Sequence, residues 1–117
     1  MRILISGHKG YIGCWLTSIL DNYPGISLVG TDLGLFDGCE VQHVKPIEET
    51  VTKDVRFLTK KDLKGIDVIC HLAAISNDPM GELDSNITEQ INLHGTISLA
   101  KLAKESGVRK FIFSGSC

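Results

Sequence analysis

Apolar positions change period twice within the first 32 residues, and the changes predict the first three elements. Arg2 to Ser6, "RILIS", is a short β-rich run. From Tyr11 the apolar residues fall at Tyr11, Ile12, Trp15, Leu16, Ile19 and Leu20, the i, i+1, i+4, i+5 stripe of an amphipathic helix whose buried stripe includes Trp15 and Leu16; Pro24-Gly25 stops it. Ile26 to Thr31 reads as a second strand ending at Asp32. Leu33 to Thr50 has no convincing period, and Gly34, Gly38 and Pro46 mark it as loop. A brief strand at Val51 to Val55 and a weak helical turn at Thr59 to Lys64 come next. "IDVICHLAA" is apolar on both faces, as a central parallel strand lying under helices must be. A long helix is expected from about Asn86 to Ser106, with Ile87, Ile91, Gly95, Leu99, Leu102 and Ala103 on one face. Asn86 and Glu89 would form its capping pair and Gly107 its C-terminal stop. "VRKFIF" is the last strand.

Strand, helix, strand, strand, helix, strand is the order of an α/β fold built on an open parallel sheet. With 117 residues, 43% of them apolar, the chain can bury one core, and one domain over residues 1–117 is the expected count. A net charge of −2 without a basic or acidic block argues against nucleic acid or an anionic membrane as partner. No apolar run approaches the roughly 18 residues of a spanning helix, and "MRILIS" is too short and too soon polar for a signal peptide, so a soluble, cytoplasmic protein is expected. Cys14, Cys39, Cys70 and Cys117 form no C-x-x-C pair and read as free thiols, without a metal site. Cys70 and His71 are neighbours on a strand and point to opposite faces, which makes them a poor chelate.

Gly7, Gly10 and Gly13 stand three residues apart between the first strand and the first helix. In that context Gly7 lets the chain turn tightly, Gly10 leaves room for a pyrophosphate against bare amides at the helix N-terminus, and Gly13 lets the helix lie close on the sheet. Tyr11 and Ile12, in the first helical turn, count with the glycines among the expected cofactor contacts. Lys9-Gly10 is not a P-loop, because no Gly-Lys-Ser/Thr follows. Asp32, about 20 residues on at the end of the second strand, can accept hydrogen bonds from the adenosine ribose hydroxyls and repel a 2′-phosphate. NAD is therefore expected over NADP, the more so because no arginine stands beside Asp32. His71 reads as a buried strand histidine, and His8, in the glycine loop, as a solvated or phosphate-adjacent one.

Gly7-x-x-Gly10-x-x-Gly13, Asp32, "KDVR" with Asp54, "HLAA" at His71 to Ala74, "NLHGT" with Asn92 and "FSGSC" at Phe113 to Cys117 come in an order and spacing that resembles the extended short-chain dehydrogenase/reductases. Among these the chain looks most like the NAD-dependent nucleotide-sugar epimerase/dehydratase family. The resemblance implies a Rossmann-type sheet with helices on both faces, ending here after the fifth strand. It also implies roles. Asp54 would bond the adenine amino group with the Val55 amide beside it; Leu72, Ala73 and Ala74 would line the loop after the fourth strand against ribose and phosphates. Asn92 would tie the long helix to that strand near the cofactor, Ser114 would approach the nicotinamide, and Ser116 matches the catalytic Ser/Thr that hydrogen-bonds the sugar hydroxyl being oxidised.

One departure stands out. The family's base is a tyrosine followed four residues later by a lysine, whereas Tyr11 and Tyr23, the only tyrosines, are followed at that distance by Trp15 and Ser27. The chain is thus expected to be the cofactor half of an enzyme, inactive alone, with the Tyr/Lys segment and the substrate region absent. Two other readings stay open: a non-catalytic dinucleotide-binding module or sensor, and an NADP-linked reductase of the same superfamily. The resemblance further implies a nucleotide-sugar substrate for the complete enzyme and a homodimer, with either the Ile91, Leu99 and Leu102 region or the Phe111-to-Phe113 strand left uncovered.

Overall fold

The computed structural model describes residues 1–35, 37–38, 45–75 and 85–115. Five parallel strands, β1 (Arg2–Ser6), β2 (Ser27–Thr31), β3 (Glu49–Val51), β4 (Val68–His71) and β5 (Lys110–Phe113), form one sheet in the order β3-β2-β1-β4-β5. The chain works outward from β1 to β3 and then crosses back to lay β4 on the other side of β1. That reversal puts a crevice at the carboxyl ends of β1 and β4, the place where open α/β sheets bind ligands.

Register decides what each face buries. Leu4 lies opposite Val29 and Ile69, and these three join Val55, Leu58, Leu63 and Ile66 beneath Leu99 and Ala103 of a helix, α3 (Thr96–Glu105). One residue along each strand, Ile3, Ile5, Val68 and Cys70 face the other way and meet Leu16 and Leu20 of α1 (Tyr11–Leu20). The sheet is therefore covered on both faces, as the two-sided apolar character of "IDVICHLAA" predicts. Cys70 and His71 do face opposite sides. Burial raises the pKa of the Cys70 thiol; neither Cys70 nor the buried Cys14, whose thiol donates to the Lys9 carbonyl at 3.4 Å, is in a disulfide among the described residues, and Cys39 and Cys117 lie outside them.

Several expectations need correction. Helix α1 turns inward a different face from its apolar stripe: Gly13 and Thr17 are buried with Leu16 and Leu20 beside them, an i, i+3, i+4, i+7 row, while Tyr11, Ile12, Trp15 and Ile19 are 42–65% exposed. Gly13 decides the rotation. A Cβ there would lie 2.1 Å from the Gly7 carbonyl oxygen and 2.7 Å from the His8 Cα, so this edge of the helix is the one that can press against the glycine loop. Trp15 is thus not core.

The third strand is Glu49–Val51 rather than Val51 to Val55, because Asp54 caps a 3-10 turn at Val55–Phe57 by accepting from the Arg56 amide at 2.9 Å. Thr59 to Lys64 makes the weak helical turn expected, the Asp62 and Leu63 amides donating to the Thr59 carbonyl at 3.0 and 3.3 Å, and the Asp62 carboxylate accepts from the Thr59 amide at 2.8 Å and its hydroxyl at 2.7 Å. The long helix is already formed at Ser85, so Asn86 lies inside it and is not its cap. It runs through α2 (Ser85–Glu89), a π turn (Gln90–Gly95) and α3, and stops where Gly107 takes φ +77°, the left-handed conformation expected of a C-terminal glycine. Of the two regions expected to be uncovered, Leu99 is fully covered with Ile91 and Leu102 half-buried, although Ile87, Leu93 and Ile97 beside them are exposed, while Ile112 and Phe113 of β5 are 52% and 54% exposed on a strand paired only with β4 among the described residues. None of the described helices is long and apolar enough to cross a membrane.

Candidate functional site

A cleft of about 610 Å³ opens at the carboxyl ends of the strands, where the loops after β1, β2, β3 and β4 meet the π turn. Gly7, Gly10, Tyr11, Ile12, Gly13, Asp32, Asp54, Val55, Leu72, Ala73, Ala74 and Ser114 all line it, so the fold gathers nearly every expected cofactor contact in one wall. Asn92 acts on that wall from behind. Ser116 lies outside the described residues.

The three glycines have three different surroundings. Gly7 sits at φ +76°, donates its N–H to the Thr31 carbonyl at 2.8 Å, and a Cβ on it would fall 2.8 Å from the Ala73 nitrogen: here two loops touch backbone to backbone. Gly13 is closed by the packing just described. Gly10 is open, since a Cβ there would meet only the Gly7 oxygen, at 3.3 Å. It is also the N-cap of α1, its own N–H donating to the Gly7 carbonyl at 3.1 Å, and it brings no side-chain cap, so the amides of Tyr11, Ile12 and Gly13 have neither an intrahelical nor a capping partner among the described residues.

Asp32 stands next to this helix end. One carboxylate oxygen accepts from the Lys9 amide at 3.1 Å and the other from the Gly34 amide at 2.8 Å. A carboxylate offers about four acceptor sites, so each oxygen keeps a lone pair for a further donor. Asp54 is more heavily engaged: Arg56 grips both its oxygens, with Nη2 at 2.6 Å and Nε at 3.0–3.1 Å, and this hydrogen bonding holds the carboxyl pKa below its ordinary value. Asp54 thereby caps its turn and faces the cleft at once.

Beneath the cleft floor the apolar row of Leu4, Val29 and Ile69 continues two residues on as a polar tier of Ser6, Thr31 and His71, each no more than 1% exposed. The hydrogen bonds run in one direction. The amides of Leu72 and Ala73 donate to Ser6 Oγ at 3.2 and 3.4 Å, Ser6 Oγ lies 2.6 Å from His71 Nδ1, His71 Nε2 lies 2.9 Å from Thr96 Oγ1, and the Thr96 hydroxyl donates to the Asn92 carbonyl at 2.7 Å. With the Thr96 proton committed to Asn92, its oxygen accepts from Nε2–H and Nδ1 accepts from Ser6, which fixes a neutral Nε2–H imidazole. Burial lowers the pKa of His71 and keeps it in that form. The expectation of a buried strand histidine holds, with a defined task of joining the β4 loop to the π turn.

Asn92 makes the other connection. Its amide oxygen accepts from the Ile75 N–H and its amide nitrogen donates to the Ile75 carbonyl, both at 2.8 Å, so one side chain satisfies both backbone groups of a residue in the cleft wall. The tie reaches Ile75 in the loop four residues beyond β4 rather than the strand itself. The π turn that brings Asn92 to this reach has no counterpart in the apolar spacing; such single wide turns often accompany functional sites.

His8 is corrected. It is neither solvated nor in the cleft wall but 8% exposed, its ring lying where a Gly30 Cβ would be, and burial lowers its pKa. Its Nδ1 finds no partner among the described residues. The signal was the glycine inside β2, which leaves a slot on one face of a strand. Lys9 and Lys53 were missed. Both line the cleft and each is held by a carboxylate, Lys9 by Asp37 at 2.7 Å and Lys53 by both oxygens of Asp62 at 2.9 Å.

The model of the NAD dependent epimerase/dehydratase family matches residues 3–117. Among curated proteins, a dTDP-D-glucose 4,6-dehydratase of Mus musculus is 24% identical over 96% of this chain and 34% of its own length. A 3-beta-hydroxysteroid dehydrogenase of Mycolicibacterium neoaurum is 29% identical over 98% of this chain and 32% of its own. The chain thus spans about a third of the length of the curated relatives it matches. Among solved structures, the UDP-glucose 4-epimerase of Thermotoga maritima with UDP-glucose superposes with a TM-score of 0.83 at 23% identity, covering 99% of this chain and 38% of that one. At that identity the likeness concerns the fold.

Proposed function

Because the chain belongs to the NAD dependent epimerase/dehydratase family, we propose that its cleft binds NAD and that residues 1–117 form the cofactor-binding part of a nucleotide-sugar epimerase or dehydratase. The observation that carries this reading is the contrast between Gly10 and its two partners. Protein fills the space beside Gly7 and Gly13, whereas the space beside Gly10 belongs to the cleft, at a helix end whose amides lack internal partners. A glycine needed only for packing would be enclosed.

In this reading the amides of Tyr11, Ile12 and Gly13, reached across the bare Cα of Gly10, hold the pyrophosphate, the Gly10 amide itself being bonded to the Gly7 carbonyl. Asp32 accepts from the adenosine ribose with the lone pairs its backbone donors leave over. Asp54 and Val55 face the adenine; Leu72, Ala73 and Ala74 close the wall, which Asn92 holds in shape through Ile75. Ser114 approaches the nicotinamide, and Ser116 hydrogen-bonds the sugar hydroxyl that loses its proton. NAD, when bound, supplies the acceptor for hydride from a sugar carbon. Neither tyrosine of the chain is followed four residues later by a lysine, so proton abstraction is assigned to no residue among 1–117. The soluble, cytoplasmic setting and a homodimer belong to the same proposal.

Calorimetric titration with NAD and NADP tests it. The parent protein is expected to bind NAD more tightly, and Asp32→Ala to narrow the gap by removing both acceptor and repulsion, each hydrogen bond to the charged group contributing about 1.5–3 kcal/mol. Equal affinity of the parent for the two cofactors, or no binding of either, refutes the reading.

A further inference from the structure

We propose that Asp37, which does not itself line the cleft, enforces NAD preference by holding Lys9 in an ion pair and so withholding from a ribose 2′-phosphate the ammonium of the residue whose backbone amide is bonded to Asp32; the proposal rests on the dinucleotide reading above. Sequence spacing presents Asp32 as a lone carboxylate without a basic neighbour. The fold supplies one. Lys9, 23 residues earlier, donates its own amide to Asp32, and its ammonium therefore springs from the backbone beside the ribose-facing carboxylate. That ammonium is held 2.7 Å from Asp37 Oδ1.

Asp37 is placed for this by its turn. Its N–H donates to the Gly34 carbonyl at 3.2 Å, Gly34 sits at φ +71°, and a Cβ on Gly34 would lie 2.6 Å from Asp37 Oδ2. The Asp37 carboxylate is thus folded back over a glycine whose own amide is bound to Asp32. The Lys9 ammonium and the Asp37 carboxylate cancel while Asp32 stays unbalanced, so the three groups together carry a net negative charge against a phosphate monoester of about −1.5 to −2. The other lysine of the cleft wall is taken by Asp62. Neutralising Asp37 removes this ion pair and its negative charge, so that the Lys9 ammonium can act as a point-charge partner for phosphate. Neutralising Lys9 as well restores the parent's net charge without the ion pair.

Both side chains are more than a third exposed, 37% for Lys9 and 57% for Asp37, so the pair contributes little to stability and Asp37→Asn is expected to melt with the parent. The purified protein and its Asp37→Asn and Lys9→Gln/Asp37→Asn variants would be titrated with NAD and NADP at low salt and again near 0.5 M salt, where charges on the surface are strongly screened. Asp37→Asn is expected to bind NADP about tenfold more tightly at low salt, with NAD changed by less than about twofold, and the gain to shrink in high salt. The double variant is expected to return to the parent's ratio. If NAD binds but Asp37→Asn leaves the ratio unmoved, or if the double variant keeps the gain, the role of Asp37 is overturned and the dinucleotide reading stands. A parent that binds neither nucleotide overturns both.

Discussion

Gly10→Ala and Gly13→Ala, three residues apart in one motif, are expected to fail in opposite ways. At Gly13 the added methyl would stand 2.1 Å from the Gly7 oxygen and 2.7–2.8 Å from two His8 backbone atoms. All are backbone, so nothing can swing aside, and α1 must lift from the loop. Overpacking of this kind costs about 1–3 kcal/mol, while the better helix propensity of alanine returns only about 1 kcal/mol of it. Lifting the helix also uncovers Leu16 and Leu20, which pack on the Ile3 and Ile5 side of the sheet. We expect Gly13→Ala to lose about 2 kcal/mol in urea melts, with a lower midpoint and an unchanged slope. At Gly10 the methyl meets one atom at 3.3 Å and the backbone, at φ −71° and ψ 170°, suits any residue. Stability should change by less than about 0.5 kcal/mol, the ordinary range for a site without a packing role. Calorimetry with NAD on the same samples should show weaker binding for Gly10→Ala, and Gly10→Val should abolish it at nearly full helical content by circular dichroism. If Gly10→Ala destabilises as much as Gly13→Ala, or if Gly10→Val binds NAD like the parent, the assignment of Gly10 to a ligand is wrong.

Asn92→Ala removes both partners of Ile75 and should lower stability by about 2–4 kcal/mol, from two backbone groups left unsatisfied at about 1–3 kcal/mol each in a part-buried site; hydrogen exchange at the Ile75 amide should accelerate, and unaltered protection there would count against the clamp. His8 and His71 both have folded pKa values held below the ordinary 6.5, chiefly by burial, so as pH falls through 6.5 the unfolded chain binds protons that the folded one does not. Stability is then greatest above 6.5 and declines below it by up to about 1.4 kcal/mol per pH unit for each histidine, which urea midpoints between pH 7.5 and 5 would show; a flat profile refutes neutral burial of the pair. Ile112 and Phe113 on the open edge of β5 should drive self-association, read by analytical ultracentrifugation as a concentration-dependent species that Ile112→Lys weakens, whereas a concentration-independent monomer contradicts it.

What could be read in the sequence is what depends on one residue type repeating at a fixed interval. Strand β4 declares itself because both its faces are apolar, and the glycine loop because its spacing sits between a strand and a helix. Helix α1 was found but turned by the wrong angle: six apolar residues in a 3.6-residue period span more than one face, and the choice between faces was made by Gly13, whose contribution is the absence of a side chain. The ring of His8 over Gly30 and the backbone amide of Lys9 on Asp32 join residues 22 and 23 apart in sequence, and no periodicity within one element can report such pairs.

The polar tier under the cleft marks where reading from pattern stops and where a further rule takes over. Ser6, Thr31 and His71 each stand two residues after a member of the Leu4, Val29 and Ile69 row, so alternation puts them on the same face, and parallel register puts them side by side. Given the register, the tier follows from sequence; without it, His71 is only a histidine in an apolar run. Once adjacent and dry, these groups must all be satisfied, because an unpaired polar group there would cost about 1–3 kcal/mol; Thr31 donates its hydroxyl to the Lys53 carbonyl at 3.3 Å, and Ser6 and His71 pair with each other. The Ser6–His71 arrangement extends to the Leu72 and Ala73 amides on one side and, through Thr96, to the Asn92 carbonyl on the other. The wall of the cleft is thereby positioned by the polar continuation of the hydrophobic core, and its shape is set by the same register that sets the fold.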